Sequence, residues 1–267
     1  MPVIVLQLKY NIATFIHAEN IIPDKIIGKD VLEIKEIPLF IGSTETTIGE
    51  LFNVKSEKQS DIIHDSENKI ILEGNFENFK RIGYKMKQGI IEIRGNSGMY
   101  TGEKMLGGRI EIFGNTDSWL GLGMKGGTIE VHGNAQDFVG GSYRGELKGM
   151  SGGTIIIHGS AGNEVGYALT GGKIIIKGDI GDFAGVHMKD GIIAVDGSCG
   201  KRCGTFMKGG HIIIMGKCEE ILPSFKKIES VKKIKFDDLT FNGPFDVYEG
   251  DKTENGMGRL YVRNNIG

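Results

Sequence analysis

Proline and tryptophan are almost missing from this 267-residue sequence, which holds 5 prolines and 1 tryptophan. Cysteine is scarce too: Cys199, Cys203 and Cys218 are too few for a disulfide framework of the secreted kind. An excess of one charge is also lacking. With a net charge of −2, strong attraction to nucleic acid or to an anionic membrane is not expected. No apolar run approaches the ~18 residues that span a bilayer. MPVIVLQLKY has no basic segment leading into a long apolar stretch, so no secretory signal is read there. The expectation is a cytoplasmic protein with no membrane or nucleic-acid partner. G-x-S-x-G, H-E-x-x-H and G-x-x-x-x-G-K-[ST] are all absent. No catalytic, cofactor-binding or metal-ligating residue is therefore assigned.

Glycine is abundant instead, at 43 residues. Collagen would need it at every third position, and that pattern is absent. The glycines punctuate a different repeat. The strings KIILEG, IIEIRG, RIEIFG, TIEVHG, TIIIHG, KIIIKG, IIAVDG and HIIIMG end at Gly74, Gly95, Gly114, Gly133, Gly159, Gly178, Gly197 and Gly216. Their spacings are 21, 19, 19, 26, 19, 19 and 19 residues. The long interval carries a seven-residue insertion around Arg144–Met150. The shared core is G-x-x-M-x-x-G-x-I-x-I-x-G, as in Gly102–Gly114 and Gly121–Gly133.

Each unit holds one β-forming run with period-two alternation, bounded by glycines that allow turns with positive φ. No crossover helix has room between them. One unit cannot bury its own apolar face, whereas stacked units can. The fold expected is an all-β, right-handed parallel β-solenoid (β-helix) of about eight coils with a ~19-residue repeat. Its divisions are an N-terminal β-rich cap over 1–68, the glycine-rich β-helix over 69–216 and a C-terminal extension over 217–267. Strands are expected near Val3–Leu8, Val31–Glu36 and Leu51–Val54, with a turn at Ser43–Thr47.

Equivalent positions form columns. Ile91, Ile110, Ile129, Ile155, Ile174, Ile193 and Ile212 should point inward, with a methionine column (Met86, Met105, Met124) closing the core. The outward column between the inner ones changes character along the chain. It reads Glu92, Glu111, Glu130, then Ile156, Ile175, Ala194, Ile213. A contiguous apolar stripe marks a contact, made either by the C-terminal segment or by a partner. A ring of large residues, Arg81, Tyr100, Trp119, Phe138, Phe183 and Arg202, either packs at a corner of the coil or forms a partner-binding edge. The candidate partner contacts are Ile156, Ile175, Ile213, Tyr100, Trp119, Phe138, Phe183 and, in the insertion, Arg144. Cys199 and Cys203 fall in columns of small or apolar residues and read as core. His132 and His158 share an outward column with no third metal ligand and read as surface residues.

The repeated core resembles the glycine-rich β-helix domain shared by glutamate synthase and the C subunit of formylmethanofuran dehydrogenase. The resemblance covers Gly83–Gly216. The layout of the chain, with GELF at Gly49–Phe52 and YEGD at Tyr248–Asp251, is similar to that C subunit. This resemblance implies a non-catalytic scaffold subunit of a complex that reversibly reduces CO2 and attaches it to methanofuran as the formyl group in methanogenesis. The implied partners are metallopterin catalytic subunits, an amidohydrolase-like subunit and iron–sulfur electron-transfer subunits. The tungsten or molybdenum pterin and the iron–sulfur clusters would sit on those partners, with no cofactor in this chain. The alternatives are a stand-alone glutamate-synthase-type subunit and a generic β-solenoid adaptor.

Overall fold

The computed structural model describes residues 2–58, 68–236 and 238–264; the remaining positions of the two flanks lie outside the described residues. The first strands are β1 (Pro2–Leu8), β2 (Ile16–His17), β3 (Pro38–Ile41), β4 (Thr44–Thr47), β5 (Phe52–Lys58), β6 (Lys69–Glu73) and β7 (Phe79–Lys80). One strand per unit follows: β8 (Ile90–Arg94), β9 (Arg109–Ile112), β10 (Thr128–Val131), β11 (Ser151–Ile157), β12 (Thr170–Ile176), β13 (Asp190–Val195) and β14 (His211–Ile214). The chain ends with β15 (Lys226–Phe236), β16 (Leu239–Gly250) and β17 (Gly258–Arg263). Three short helices, α1 (Pro23–Ile26), α2 (Val31–Lys35) and α3 (Ile48–Leu51), precede β5.

Most strands join one 13-stranded, mainly parallel sheet. Within it Ile91 lies opposite Ile110, Ile110 opposite Ile129, and Ile129 opposite Ile155. The seven-residue insertion falls before β11 and leaves this register intact. Its extra length loops outward while the isoleucines stay in column. Burying each such side chain contributes roughly 1.5–3 kcal/mol, and a one-residue slip would turn the whole set outward. The column from Ile91 to Ile212 is fully buried, as are Met86, Met105, Met124, Met150, Met188 and Met207.

The flanks extend the sheet at both ends. β1 pairs in parallel with β6, and β17 pairs in parallel with β14. Antiparallel β5 borders one end of the sheet, and the β15–β16 pair borders the other. A four-stranded sheet, β4-β3-β2-β7, ties the N-terminal flank to the first unit by pairing Ile16 with Phe79.

Two expectations for the flank are corrected. Val31–Lys35 is a helix, not a strand. The Asp30 side chain accepts the Glu33 N–H at 2.8 Å, and Glu33 Oε2 accepts the Asp30 N–H at 2.9 Å. This reciprocal capping box starts the helix and outweighs the strand-like alternation of VLEIK. The turn expected over Ser43–Thr47 is confined to Gly42 and Ser43. Thr44–Thr47 forms β4, paired antiparallel with β3. Further on, Leu51 closes α3 and the strand begins at Phe52.

The ring of large side chains stands at a corner with unusual backbone geometry. Arg81, Tyr100, Trp119, Phe138, Glu164, Phe183 and Arg202 all have φ between 56° and 65°. A left-handed conformation costs a residue with a Cβ roughly 1–2 kcal/mol. Here it aims each N–H along the stack: Tyr100 donates to the Ser118 carbonyl at 3.1 Å and Trp119 to the Asp137 carbonyl at 2.9 Å. The rings then stack, Tyr100 on Trp119 at 5.1 Å and Trp119 on Phe138 at 5.3 Å. A net hydrogen bond of about 1 kcal/mol plus stacking of similar size offsets the strain.

Candidate partner interface

The outer face of the large sheet has three zones. The first is charged. Glu92 is 7% exposed and ion-paired with Lys69 and with Arg94, the latter at 2.7 Å. Arg109 reaches Glu130 at 2.8 Å and Glu111 at 3.4 Å. His132 and His158 meet Glu111 and Glu130 at 3.1 and 2.9 Å. Phe113, His132 and His158 stack at 4.7 and 5.2 Å. Burial pushes the Glu92 carboxyl up, but hydrogen bonds from Lys69 and Arg94 outweigh it and hold the pKa below the ordinary value. The His158 hydrogen bond, with Arg109 nearby, does the same for Glu130. These charges are satisfied within the chain.

The middle zone carries Ile156 on β11 and Ile175 on β12, both half-buried. In the third zone Ala194 and Ile213 are closed over. They join Ile192, Ile234, Phe245, Val247 and Tyr261 in a second apolar cluster on this face. Ile213 is fully buried there. As a partner contact it is corrected: the chain's own β15–β17 strands cover it, because their alternation places Phe245, Val247 and Tyr261 on the same side. The cover reaches back to β12, where Lys173 pairs with Asp238 of the β15–β16 turn.

At the corner, Tyr100, Trp119 and Phe183 are half-buried, Phe138 is buried, and Arg144 is exposed. Arg144 lies over the Phe138 ring at 5.6 Å, and Arg202 over Phe183 at 5.4 Å. These placements bring Tyr100, Trp119, Phe138 and Arg144 into one patch. Phe183 stands apart from it, with Glu164 between.

A polar network that sequence reasoning missed fixes this patch. Glu103 is 1% exposed. It accepts from Arg81 Nε at 2.8 Å and from the Tyr143 hydroxyl at 2.8 Å, while Arg81 also reaches Glu19 at 3.0 Å. Tyr143 stands immediately before the insertion, so the network pins the start of that loop back onto earlier units and onto the N-terminal flank. Burial raises the Tyr143 pKa, and the hydrogen bond with Glu103 adds to it. The signal available in the sequence was an aromatic residue at the start of an insertion, with no partner apparent.

A second face holds an asparagine ladder. Asn96 Oδ1 accepts the Asn115 N–H, and Asn115 Oδ1 accepts the Asn134 N–H, each at 2.8 Å. The ladder lines an open groove of about 520 Å3 with Phe15 at its edge. Cys199 and Cys203 are buried in the core. Among the described residues no three His, Cys, Asp or Glu side chains are placed to hold a metal ion. No helix among them is long and apolar enough to cross a membrane.

Residues 125–224 match the family model described as GXGXG motif. The chain is 44% identical over 102 residues to the C subunit of the tungsten-containing formylmethanofuran dehydrogenase 2 of Methanothermobacter marburgensis. It is 36% identical over 101 residues to the C subunit of the molybdenum-containing formylmethanofuran dehydrogenase 1 of Methanosarcina barkeri. The first match spans 38% of this chain and 37% of the relative, and the second 38% and 33%. By sequence, then, the chain spans about a third of the length of these relatives. The fold match is longer. A chain in the crystal structure of the formyltransferase/hydrolase complex (FhcABCD) from Methylorubrum extorquens, in complex with methylofuran, superposes with a TM-score of 0.84 at 26% identity. That match covers 98% of this chain and 100% of the other. The chain is thus similar over about 38% of its length to the C subunits of these two formylmethanofuran dehydrogenases, and over nearly its full length to one chain of the FhcABCD complex.

Proposed function

We propose that this chain is a right-handed β-solenoid of about eight coils that serves as a non-catalytic scaffold subunit of formylmethanofuran dehydrogenase. The observation that carries the reading is the coincidence of two similarities. A stretch of 102 residues is 44% identical to the C subunit of such an enzyme, and nearly the whole chain superposes on one member of the FhcABCD assembly. The scaffold is the 69–216 stack with the 1–68 and 217–267 flanks as caps. Its rigidity follows from one register shared by many parallel strands, which suits holding separate active sites at fixed spacing.

In this reading the tungsten or molybdenum pterin and the iron–sulfur clusters belong to partner subunits, as does the amidohydrolase-like metal site. Partner contacts fall on Ile156 and Ile175, between the charged and covered zones, and on the corner patch of Tyr100, Trp119, Phe138 and Arg144. Phe183 is a further contact along the same edge. Aromatic and arginine side chains held by stacking make good anchors because little conformational freedom is lost on binding.

One observation favours a second reading. A fold match over nearly the full length is to a formyltransferase/hydrolase complex. The scaffold role would be the same, but the assembly would transfer or hydrolyse the formyl group without redox subunits. Anaerobic native purification of a tagged chain from its own cells, with mass spectrometry and metal analysis, separates the two. Tungsten or molybdenum eluting with iron–sulfur subunits is expected. Formyl-transferring and amidohydrolase-like partners without a pterin metal would establish the second reading. A flavin-containing partner would point to a glutamate-synthase-type subunit, and a chain eluting alone to a generic adaptor; either would overturn the proposal.

A further inference from the structure

All three cysteines of the chain meet at one place. Cys199 and Cys218 lie 19 residues apart and form a parallel bridge between neighbouring units. Neighbouring parallel strands stand about 4.8 Å apart, within the Cα separation of roughly 4.4–6.8 Å that a disulfide spans. The nearby Cys203 thiol also pushes that of Cys199 up. Cys199 and Cys203 are buried, and Cys218 is half-buried.

The repeat supplies an internal template for this arrangement. The equivalent positions 102 residues earlier are Ser97, Thr101 and Thr116. There Ser97 Oγ donates to Thr116 Oγ1 at 2.8 Å, and Thr101 Oγ1 lies 3.4 Å from Ser97 Oγ. Ser97 and Thr116 form the same parallel bridge as Cys199 and Cys218. The fold therefore places the side chains of Cys199 and Cys218 side by side, as it does those of Ser97 and Thr116. In hydroxyl form the contact is a hydrogen bond, whereas two thiols so placed can be joined covalently.

We propose that Cys199 and Cys218 are a redox-modifiable pair, which a small disulfide oxidises to a staple between the last two repeat units. Half-buried Cys218 is the point of entry. Its thiolate attacks one sulfur of the external disulfide, and the first small thiol departs. The Cys199 thiolate then attacks the Cys218 sulfur of the mixed disulfide and releases the second. Two protein thiols lose two electrons and two protons, and one external disulfide becomes two thiols. Cys203 stays reduced. Its strand-to-corner position has no bridge partner among the cysteines.

The location gives the staple its consequence. Just beyond Cys218, Phe225 packs over the end of the stack, where a Cβ on Gly204 would stand 2.8 Å from its ring. The chain then enters β15 and β16, which carry part of the cover over Ile213. Linking Cys218 to Cys199 ties the exit of the stack to the unit before it. Contact with the Cys199 thiol, together with burial, pushes the Cys218 thiol up, so exchange is slow at neutral pH and faster in alkali.

The test uses the full chain with whatever subunits it holds, purified under argon. It is incubated with bis-hydroxyethyl disulfide, quenched with iodoacetamide, and read by intact mass and peptide mapping. The expected result is a loss of about 2 Da before alkylation, one alkylated thiol at Cys203, and a linked peptide pair holding Cys199 and Cys218. The link forms equally in Cys203→Ser and is reversed by reductant. The oxidised chain melts roughly 5–10 °C above the reduced one. Three alkylated thiols after prolonged incubation, a Cys199–Cys203 link, or a mixed disulfide that stays on Cys218 would each overturn the proposal.

Discussion

A Cβ placed on Gly102 would stand 2.4 Å from Cδ1 of Ile129, and the relationship recurs between Gly83 and Ile110 at 2.4 Å and between Gly185 and Ile212 at 2.5 Å. The glycine corner of one unit leaves room for the isoleucine of a strand further along, so two columns of the repeat specify one another. Gly102 also has φ +71°, a left-handed conformation. Gly102→Ala is expected to destabilise by about 2–4 kcal/mol, combining backbone strain with overpacking. Gly145→Ala, at φ +88° with no atom within 4 Å, should cost about 1 kcal/mol. Urea denaturation of both variants checks this. Equal losses would mean that the backbone angle alone matters and the isoleucine does not.

Tyr143→Phe removes the hydroxyl that joins the insertion to Glu103 and Arg81. The ring keeps its place 6.1 Å from Tyr100. The expected loss is about 1 kcal/mol, concentrated in the loop. Limited trypsin digestion should show faster cleavage after the exposed Arg144, while the melting temperature falls only slightly.

The cover over the third zone rests on Phe245, which is fully buried. Phe245→Ala should cost about 3–5 kcal/mol. It should also raise binding of an apolar fluorescent dye, because Ile213 and Ala194 lose their lid. Destabilisation without new dye binding would show that the neighbouring side chains collapse to re-cover them.

Two titrations set separate pH limits. Burial, with Arg259 nearby, lowers the His211 pKa from its ordinary value of 6.5. For a base with a lowered folded pKa, stability is fully present above the unfolded value and is lost as pH falls from there through the folded one. Melting temperature should therefore begin to drop as pH falls below ~6.5, and His211→Gln should flatten that limb.

Glu92 is a carboxyl with a lowered folded pKa. Its contribution is present above the unfolded value, ~4.3, and disappears as pH falls through the folded one. Glu92→Gln should melt lower than the parent at pH 7 and converge with it as acid carries the pH down through the folded pKa. A gap that persists in acid would assign the effect to packing against Lys69 and Arg94 rather than to charge.

The glycine spacing, the isoleucine columns and the methionine column were legible in the sequence because every contact they make is between equivalent places in a repeat. One interval, read off the chain, stands for all the neighbours. The same logic placed Cys199 and Cys203 in the core and brought Tyr100, Trp119 and Phe138 to a single corner. The capping box that makes Val31–Lys35 a helix was also present in the letters, at Asp30 and Glu33, but the alternation of VLEIK masked it.

What only the tertiary structure decided lies where the repeat is broken. Arg81, Glu103 and Tyr143 share no period, and the insertion alone brings the third to the first two. Ile156, Ile175 and Ile213 read alike as letters of one column. Their difference comes from the reach of β15–β17, which buries Ile213 and leaves the other two half-buried. A repeat determines its own interior because its units see the same neighbours. Its surface depends on non-repeating segments whose paths no internal copy records.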